Sequence, residues 1–420
     1  MKQPFSWDNY SDQPYQLKDK VFKKKMRSHQ KLSLVKTALS GILFLPLSLF
    51  GMPFIRRRII DTTQFVGLGV DFQREPQATK EMLQELGVEN ILVRLKLWEL
   101  ESIEELITFL KSVNAKKVTL KILQDREHIE DLELLKKDLE LIFSKLKNYV
   151  DMFEIGSTIN RAKWGFFSVD EYNAFFEVAY KLKQEKFPHI ELLGSGVIDF
   201  EFHFTAHTLF NFAKYKYDAT AALLYVDRRG APENTQLGFS LLDKIALLST
   251  MVWISPKTKH RLYITETNWP LSGTAPYAPT SEKECVSEEL YAAYMLRYYL
   301  LAFASQQVDS VYWHQLIAPG YGLVDNRDGI RKTKAFKVFK YMNTILKGAQ
   351  FLRLDIKRGY YILQLLKDEK QLIQIHWALK ETSLQNESYF EAYSSVGKCL
   401  KQPQLQIGNE PIYLFIKDAQ

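Results

Sequence analysis

Glu266 stands in the run LYITETNWP, a short apolar stretch that closes on a carboxylate and is followed at once by Asn268 and Trp269. A carboxylate so placed suits attack on an anomeric carbon, or stabilisation of an oxocarbenium-like centre. Its plain alternative is a glutamate that caps a helix or sits in a loop. Three other apolar runs close on residues that would serve the same chemistry: Arg94 in GVENILVRL, Tyr225 in LLYVDRRG and Trp313 in SVYWHQL. An arginine can hold a neighbouring carboxylate ionised through charge-assisted hydrogen bonds, and a tryptophan offers a face on which a sugar stacks. Each also has a bland reading, a surface ion pair for the arginine and ordinary packing for the aromatics. The four together, at the ends of four separate runs, are what a fold would have to bring to one place.

The elements around them alternate. From Asp61 onward short apolar runs and amphipathic stretches follow one another. The strand-like runs are QFVGLGVDF, NILVRLKL, KKVTLKIL, MFEIGS, IELLGSG, ATAALLYV, RLYITET and SVYWHQL. Helical patterns fall near 76–86, 101–113, 129–147, 169–186, 204–214, 237–252, 284–304 and 334–346. Eight strands each followed by a helix predict an α/β fold, a (β/α)8 TIM barrel over residues 61–346. No glycine-rich phosphate loop interrupts the pattern, which argues against the open-sheet nucleotide folds. Beyond residue 349 the rhythm changes to short strands such as GYYILQLLK, KQLIQIHWAL and EPIYLFIK, a small all-β, sandwich-like module over 350–420.

Composition narrows the classes. With 420 residues, 46% hydrophobic and 25% charged, the chain can bury a large core and is not disordered. The net charge of +7 is concentrated in residues 1–60, where twelve Lys/Arg face three Asp/Glu, a balance of +9; the remaining residues come to −2. A folded part without a basic footprint makes nucleic acid a poor partner. Cys285 and Cys399 are far apart, without a histidine pattern, so neither zinc nor a disulfide framework is indicated, and no metal or cofactor is expected.

The basic excess belongs to a segment 1–36 that leads into TALSGILFLPLSLFGMPFI, residues 37–55, a run without charge and long enough for a bilayer core. The cations ahead of it favour a cytoplasmic N-terminus and a barrel outside the cytoplasm, at an inner membrane. The trailing RRR at 56–58, with Pro46, Pro53 and two glycines in the segment, fits a shallow interfacial helix that keeps the barrel on the cytoplasmic face.

In order and spacing, residues 61–346 resemble the (β/α)8 glycoside hydrolases of clan A, and the β module resembles the small sandwich that many of them carry. The resemblance implies a glutamate nucleophile ending strand seven, matched by Glu266, an arginine ending strand two, matched by Arg94, an aromatic or histidine after strand six, matched by Tyr225, and a tryptophan ending strand eight, matched by Trp313. It breaks at strand four. The clan places Asn-Glu there, the glutamate acting as acid and then base; in MFEIGSTINRAKWG those positions hold Ser157 and Thr158. Retaining hydrolysis needs two carboxyl groups roughly 5 Å apart, so another rim carboxylate has to supply the proton. The candidates are Asp227 first, then Asp199, with Glu201, Asp125 and Glu127 behind them. A phosphate-linked leaving group would need little protonation, and Lys163, Arg228 or Arg229 would receive it. Sugar-binding positions are expected at Thr158, Asn160, Arg161 and Trp164 after strand four, at Asn268, Trp269 and Tyr277 after Glu266, and at Trp313 and His314. The implied function is a glycosidase or transglycosidase acting on a cell-envelope polysaccharide or a lipid-linked glycan. The alternative is an inactive glycan-binding or scaffold protein, a pseudo-glycosidase.

Overall fold

The computed structural model describes residues 6–55 and 58–417. Eight parallel strands close into a barrel: β1 Val66–Val70, β2 Asn90–Lys96, β3 Lys117–Leu123, β4 Met152–Ile155, β5 Glu191–Ile198, β6 Ala219–Leu223, β7 Leu262–Thr267 and β8 Ser310–Trp313, with β8 pairing β1. The predicted (β/α)8 barrel is therefore the observed one. Helix starts follow side-chain chemistry where the apolar pattern leaves them vague. Ser168 caps Val169–Lys186, Ser240 and Asp243 form a capping box that opens Leu241–Ile254, and Ser287 caps Glu288–Ser305. The last two helices accordingly begin about four residues later than the apolar pattern alone suggests.

Strand alternation sends every second side chain into the barrel. Along β3 these are Lys117, Thr119 and Lys121, and the interior answers in kind. Lys117 donates to the Tyr263 hydroxyl at 3.0 Å, Thr119 pairs with the Tyr312 hydroxyl at 2.8 Å, and Thr265 donates to Glu154 at 3.1 Å. Gly67 makes room for this layer, because a Cβ there would lie 2.5 Å from the Tyr312 ring. At the top of β7 the register with β8 slips, three β7 residues standing against two, with Val311 opposite Ile264 and Trp313 opposite Thr267. Such a bulge re-aims a side chain: it turns Glu266 toward the rim although its neighbour Thr265 already faces inward.

After the barrel, an antiparallel six-stranded sheet is built from Ala349–Lys357, Tyr360–Lys367, Gln371–Ala378, Ile412–Ile416, Phe390–Tyr393 and Cys399–Leu400. A two-stranded sheet, Thr382–Gln385 with Gln404–Ile407, packs against it through Leu384, Leu405 and Ile407. A buried polar joint ties this module to the barrel. Arg297, fully buried on Glu288–Ser305, faces Glu233 at 3.4 Å and donates to Asn409 at 3.1 Å, while the Trp377 indole donates to Glu233 at 2.8 Å.

Ahead of the barrel, a short hairpin pairs Trp7–Asp8 with Gln13–Pro14, followed by helices α1 Lys20–His29 and α2 Lys31–Gly51. The helix α2 and the 3-10 turn after it, Lys31–Phe54, form one apolar run long enough to cross a membrane. It covers the predicted 37–55 segment up to residue 54, and Pro46 lies within it without ending it. Of the trailing arginines, Arg56 and Arg57 lie outside the described residues, and Arg58 binds the base of the barrel.

The buried joint gives a stability prediction. Glu233→Ala leaves the Arg297 guanidinium buried without its counter-charge, and such an orphan costs about 3–5 kcal/mol. Urea unfolding of the variant is expected to show a loss of that size, and a loss under 1 kcal/mol would mean that the pair is not desolvated as described.

Candidate active site

The C-terminal rim of the barrel opens into a polar cleft of about 440 Å³. Glu266 lies at its floor, and beneath it a buried cation is shared between Glu266 and a second carboxylate. Lys121, with 1% of its side chain exposed, lies 3.4 Å from Glu266 Oε2 and 3.5 Å from Glu154 Oε1. The Tyr225 hydroxyl donates to the other Glu266 oxygen at 2.7 Å. The two carboxyls are driven apart in acidity by what surrounds them. Burial would raise Glu266, but Lys121, His314, the Tyr225 hydrogen bond and nearby Arg94 together outweigh it and hold the group down at about 2. Burial dominates at Glu154 and pushes it up to about 7, against the pull of Lys121 and Thr265; its second oxygen finds no hydrogen-bond partner among the described residues. His314, which also lines the cleft, is held down at about 3 by burial and stacks on Tyr321 with ring centres 5.4 Å apart. It is therefore a neutral neighbour of Glu266 near neutral pH, where Lys121 and Arg94 supply the positive field, and only in acid does its own charge add to theirs in holding Glu266 down.

Arg94 reaches the cleft from β2, but its guanidinium pairs with Asp12 of the N-terminal hairpin rather than with Glu266. The hairpin roofs the cleft. Gln13 accepts from Lys163 at 2.7 Å and donates to the Pro279 carbonyl at 2.9 Å. Trp7 packs edge-on against Trp98 and Trp164, and Tyr10 against Tyr277. Loops following β2, β4 and β7 are thus joined by one strap. Lys163, its ammonium pushed down to about 8 by burial, meets no carboxylate within ion-pair distance among the described residues.

The expected acid position is a strained turn. Gly156 and Thr158 both lie in the left-handed region, at φ 76° and 53°, and Gln124 clamps the turn by accepting from Ser157 N–H and donating to the Ser157 and Trp164 carbonyls. A β-branched residue with that φ is uncommon and persists only where its surroundings impose it. Thr158 faces the cleft with no carboxylate of its own.

Of the alternative carboxylates, Asp199, Glu201 and Asp227 line the cleft. The first two are engaged by Arg161, at 2.7 and 2.6 Å, and Asn160 adds 2.8 Å to Glu201. Asp227 makes no ion pair or side-chain hydrogen bond within the described residues, while Arg229 from the same turn lies over the Tyr225 ring, 3.6 Å from its centre. Asp125 and Glu127 do not line the cleft. Asp125 caps the helix Arg126–Glu130 through the His128 N–H and ring, and Glu127 is exposed on that helix.

Several expected sugar contacts turn out to be packing. Trp313 is fully buried, donates its indole N–H to Tyr291 at 2.6 Å and stacks against Trp269. Trp269 is equally buried and donates to the Arg229 and Gly230 carbonyls. Neither offers a free face, because both fill the space between the barrel and the helix Glu288–Ser305. Asn160 braces β5 by bonding Ile198 and Glu201 and does not line the cleft. Trp164, Asn268, Thr158, Tyr225, His314 and Lys163 do line it, and Asn268 is anchored to the His314 carbonyl at 2.6 Å. The Arg228 side chain lies outside the described residues. The residues missed by sequence reading are Lys121, Glu154, Asp12, Tyr321 and Glu284. Lys117, Thr119 and Lys121, polar residues at alternate positions of the strand KVTLKIL, were the available signal for Lys121.

No known family profile matches the sequence, and no curated protein does. Solved structures do. A family 39 glycoside hydrolase from Bacteroides cellulosilyticus WH2 superposes with a TM-score of 0.65 at 13% identity, over 86% of this chain and 82% of that one. A GH30 endoxylanase from Clostridium papyrosolvens gives 0.59 at 10% identity, over 86% and 97%. A GH39 β-xylosidase from Caulobacter crescentus gives 0.57 at 12%, over 86% and 98%. The fold of this chain is that of the clan A glycoside hydrolases, barrel and appended β module together.

Proposed function

We propose that the chain is a retaining glycosidase or transglycosidase acting on a cell-envelope polysaccharide or a lipid-linked glycan, attached to a membrane through residues 37–55. One observation carries the reading: Glu266 lies ionised on the floor of an open polar cleft, with the Tyr225 hydroxyl on one oxygen and Lys121 on the other. A carboxylate held far below neutrality is ionised at every working pH, the form in which it can attack. In this mechanism a Glu266 oxygen forms a bond to the anomeric carbon as the glycosidic C–O bond breaks, and the leaving oxygen takes its proton from Asp227. Water, or an acceptor sugar hydroxyl in transfer, then gives a proton back to Asp227 and displaces Glu266. Asp227 is favoured for this role because Arg161 already engages Asp199 and Glu201.

A second reading, a glycan-binding protein without turnover, is favoured by Thr158 at the acid position and by the hairpin residues Ser11–Gln13 in the cleft. Activated 2-fluoro glycosides separate the two, since they react without an acid. The full chain is expected to acquire a covalent sugar on the peptide containing Glu266, read by mass spectrometry, and Glu266→Gln to acquire none; no adduct from any sugar, with a glycan-induced thermal shift, favours the binder. The inactivation rate should stay level from pH 4 to 7, because its surroundings hold the Glu266 carboxyl down at about 2; a rising limb centred near pH 5 would sink the electrostatic assignment. Asp227→Asn is expected to slow glycosides with poor leaving groups by roughly 100-fold or more while adduct formation persists, and equal slowing of both would remove Asp227 from the acid role.

A further inference from the structure

The helix α2 is amphipathic in the wrong sense for a soluble protein. A surface helix turns its apolar stripe to the core, yet α2 buries Ser33, Thr37, Ser40, Gly41 and Ser48 against the barrel. Outward it presents Leu39, Ile42, Leu43, Leu47 and Phe50, with Ile42 69% and Leu43 66% exposed. The buried stripe is close-packed. A Cβ on Gly41 would lie 2.6 Å from the His203 Cβ, and Thr37 shares a 2.8 Å hydrogen bond with His207. Small residues against a neighbouring helix with leucines outward is the packing of a helix whose far side meets lipid. The apolar face continues past the end of α2 onto Phe54 and Trp253.

Both ends of α2 are fastened to the same barrel. At the rim, Gln30 accepts from Ser168 at 2.8 Å, Lys36 pairs with Asp170 at 3.0 Å, and the hairpin further upstream sits on Arg94 and Lys163. At the base, Arg58 donates to the Gln307 carbonyl at 2.7 Å and to Asp309 at 3.0 Å. A helix that crossed a bilayer would put the hairpin and the barrel in different compartments and break the whole upstream set. Just before α2, helix α1 carries Lys20, Lys23, Lys24, Lys25 and Arg27 with no acidic residue.

From these observations, and resting on the membrane attachment proposed above, we infer that α2 does not span. The barrel lies on its side on an anionic bilayer, with the outer face of α2, Phe54 and Trp253 in the acyl boundary and the cations of α1 on the headgroups. The cleft then opens along the membrane surface. The hairpin and the barrel share one compartment, and the cations ahead of α2 make it the cytoplasmic one.

The test uses the full chain. Flotation with phosphatidylcholine vesicles containing a quarter phosphatidylglycerol is expected to carry it at least tenfold better than phosphatidylcholine alone, and Ile42→Asp with Leu43→Asp to lose that binding while keeping the wild-type melting temperature within a few degrees. Sidedness is read with a membrane-impermeant maleimide on right-side-out and inverted vesicles from an expression host. One variant keeps Cys399, with Cys285→Ser; the other carries Lys18→Cys with both native cysteines replaced by serine. Labelling of both reporters from the cytoplasmic side supports the inference, and labelling of both from the outer side overturns its sidedness. Labelling from opposite sides overturns it while leaving the membrane attachment standing. Failure to float on any vesicle overturns both, and retention on host membranes but not on vesicles assigns the apolar face to a protein partner instead.

Discussion

Lys121 is a cation sealed inside a barrel, with 1% of its side chain exposed, and the floor of the cleft is organised around neutralising it. A buried ammonium without a partner costs several kcal/mol, and here two carboxylates flank it at almost equal distance. One positive charge cannot fully compensate both. The deeper carboxylate, Glu154, faces no water and moves toward its neutral form, whereas Glu266, at the rim and hydrogen-bonded by Tyr225, keeps its charge. The same cation that stabilises the core thus selects which of two glutamates is ionised. This is how a protein makes chemically different groups from identical side chains.

The roof of the cleft is as distinctive as its floor. In the clan this fold resembles, the strand-two arginine would support the nucleophile, and here its guanidinium is taken by Asp12, from a segment more than fifty residues upstream of the barrel. Lys121, from the neighbouring strand, lies 3.4 Å from Glu266 instead. Glu266 is therefore held ionised mainly from beneath, by Lys121, while Arg94 adds its field from the side and also holds the strap. Because the strap runs directly into α1 and α2, the rim of the cleft and the apolar outer wall belong to one continuous piece of chain.

How much was legible in advance differs between fold and site. The eight-fold alternation was strong because each strand is a run of apolar residues and each helix an amphipathic one, so local chemistry and global architecture agree. Glu266, Arg94 and Tyr225 were found because they stand where strands end, and the barrel gathers strand ends into one cleft. Trp313 and Trp269 were misjudged for the same reason: a strand end points either into the cleft or into the shell between strand and helix, and one residue of register separates the two outcomes. At β8 that register sends Trp313 outward to Tyr291, and at β7 a bulge turns Glu266 back in.

By itself, the sequence determined the number and order of the barrel strands, the identity of the groups able to do chemistry, and the apolar character of residues 37–55, because propensity and periodicity are local properties of the chain. Only the tertiary structure decided which charges meet. The partnership of Lys121 with Glu154 and Glu266 joins three strands, and the grip of Asp12 on Arg94 closes a loop of some eighty residues. It also decided that α2 turns its serines inward and its leucines outward. Such pairings depend on side-chain direction and on which surfaces become dry, and neither exists until the barrel has closed.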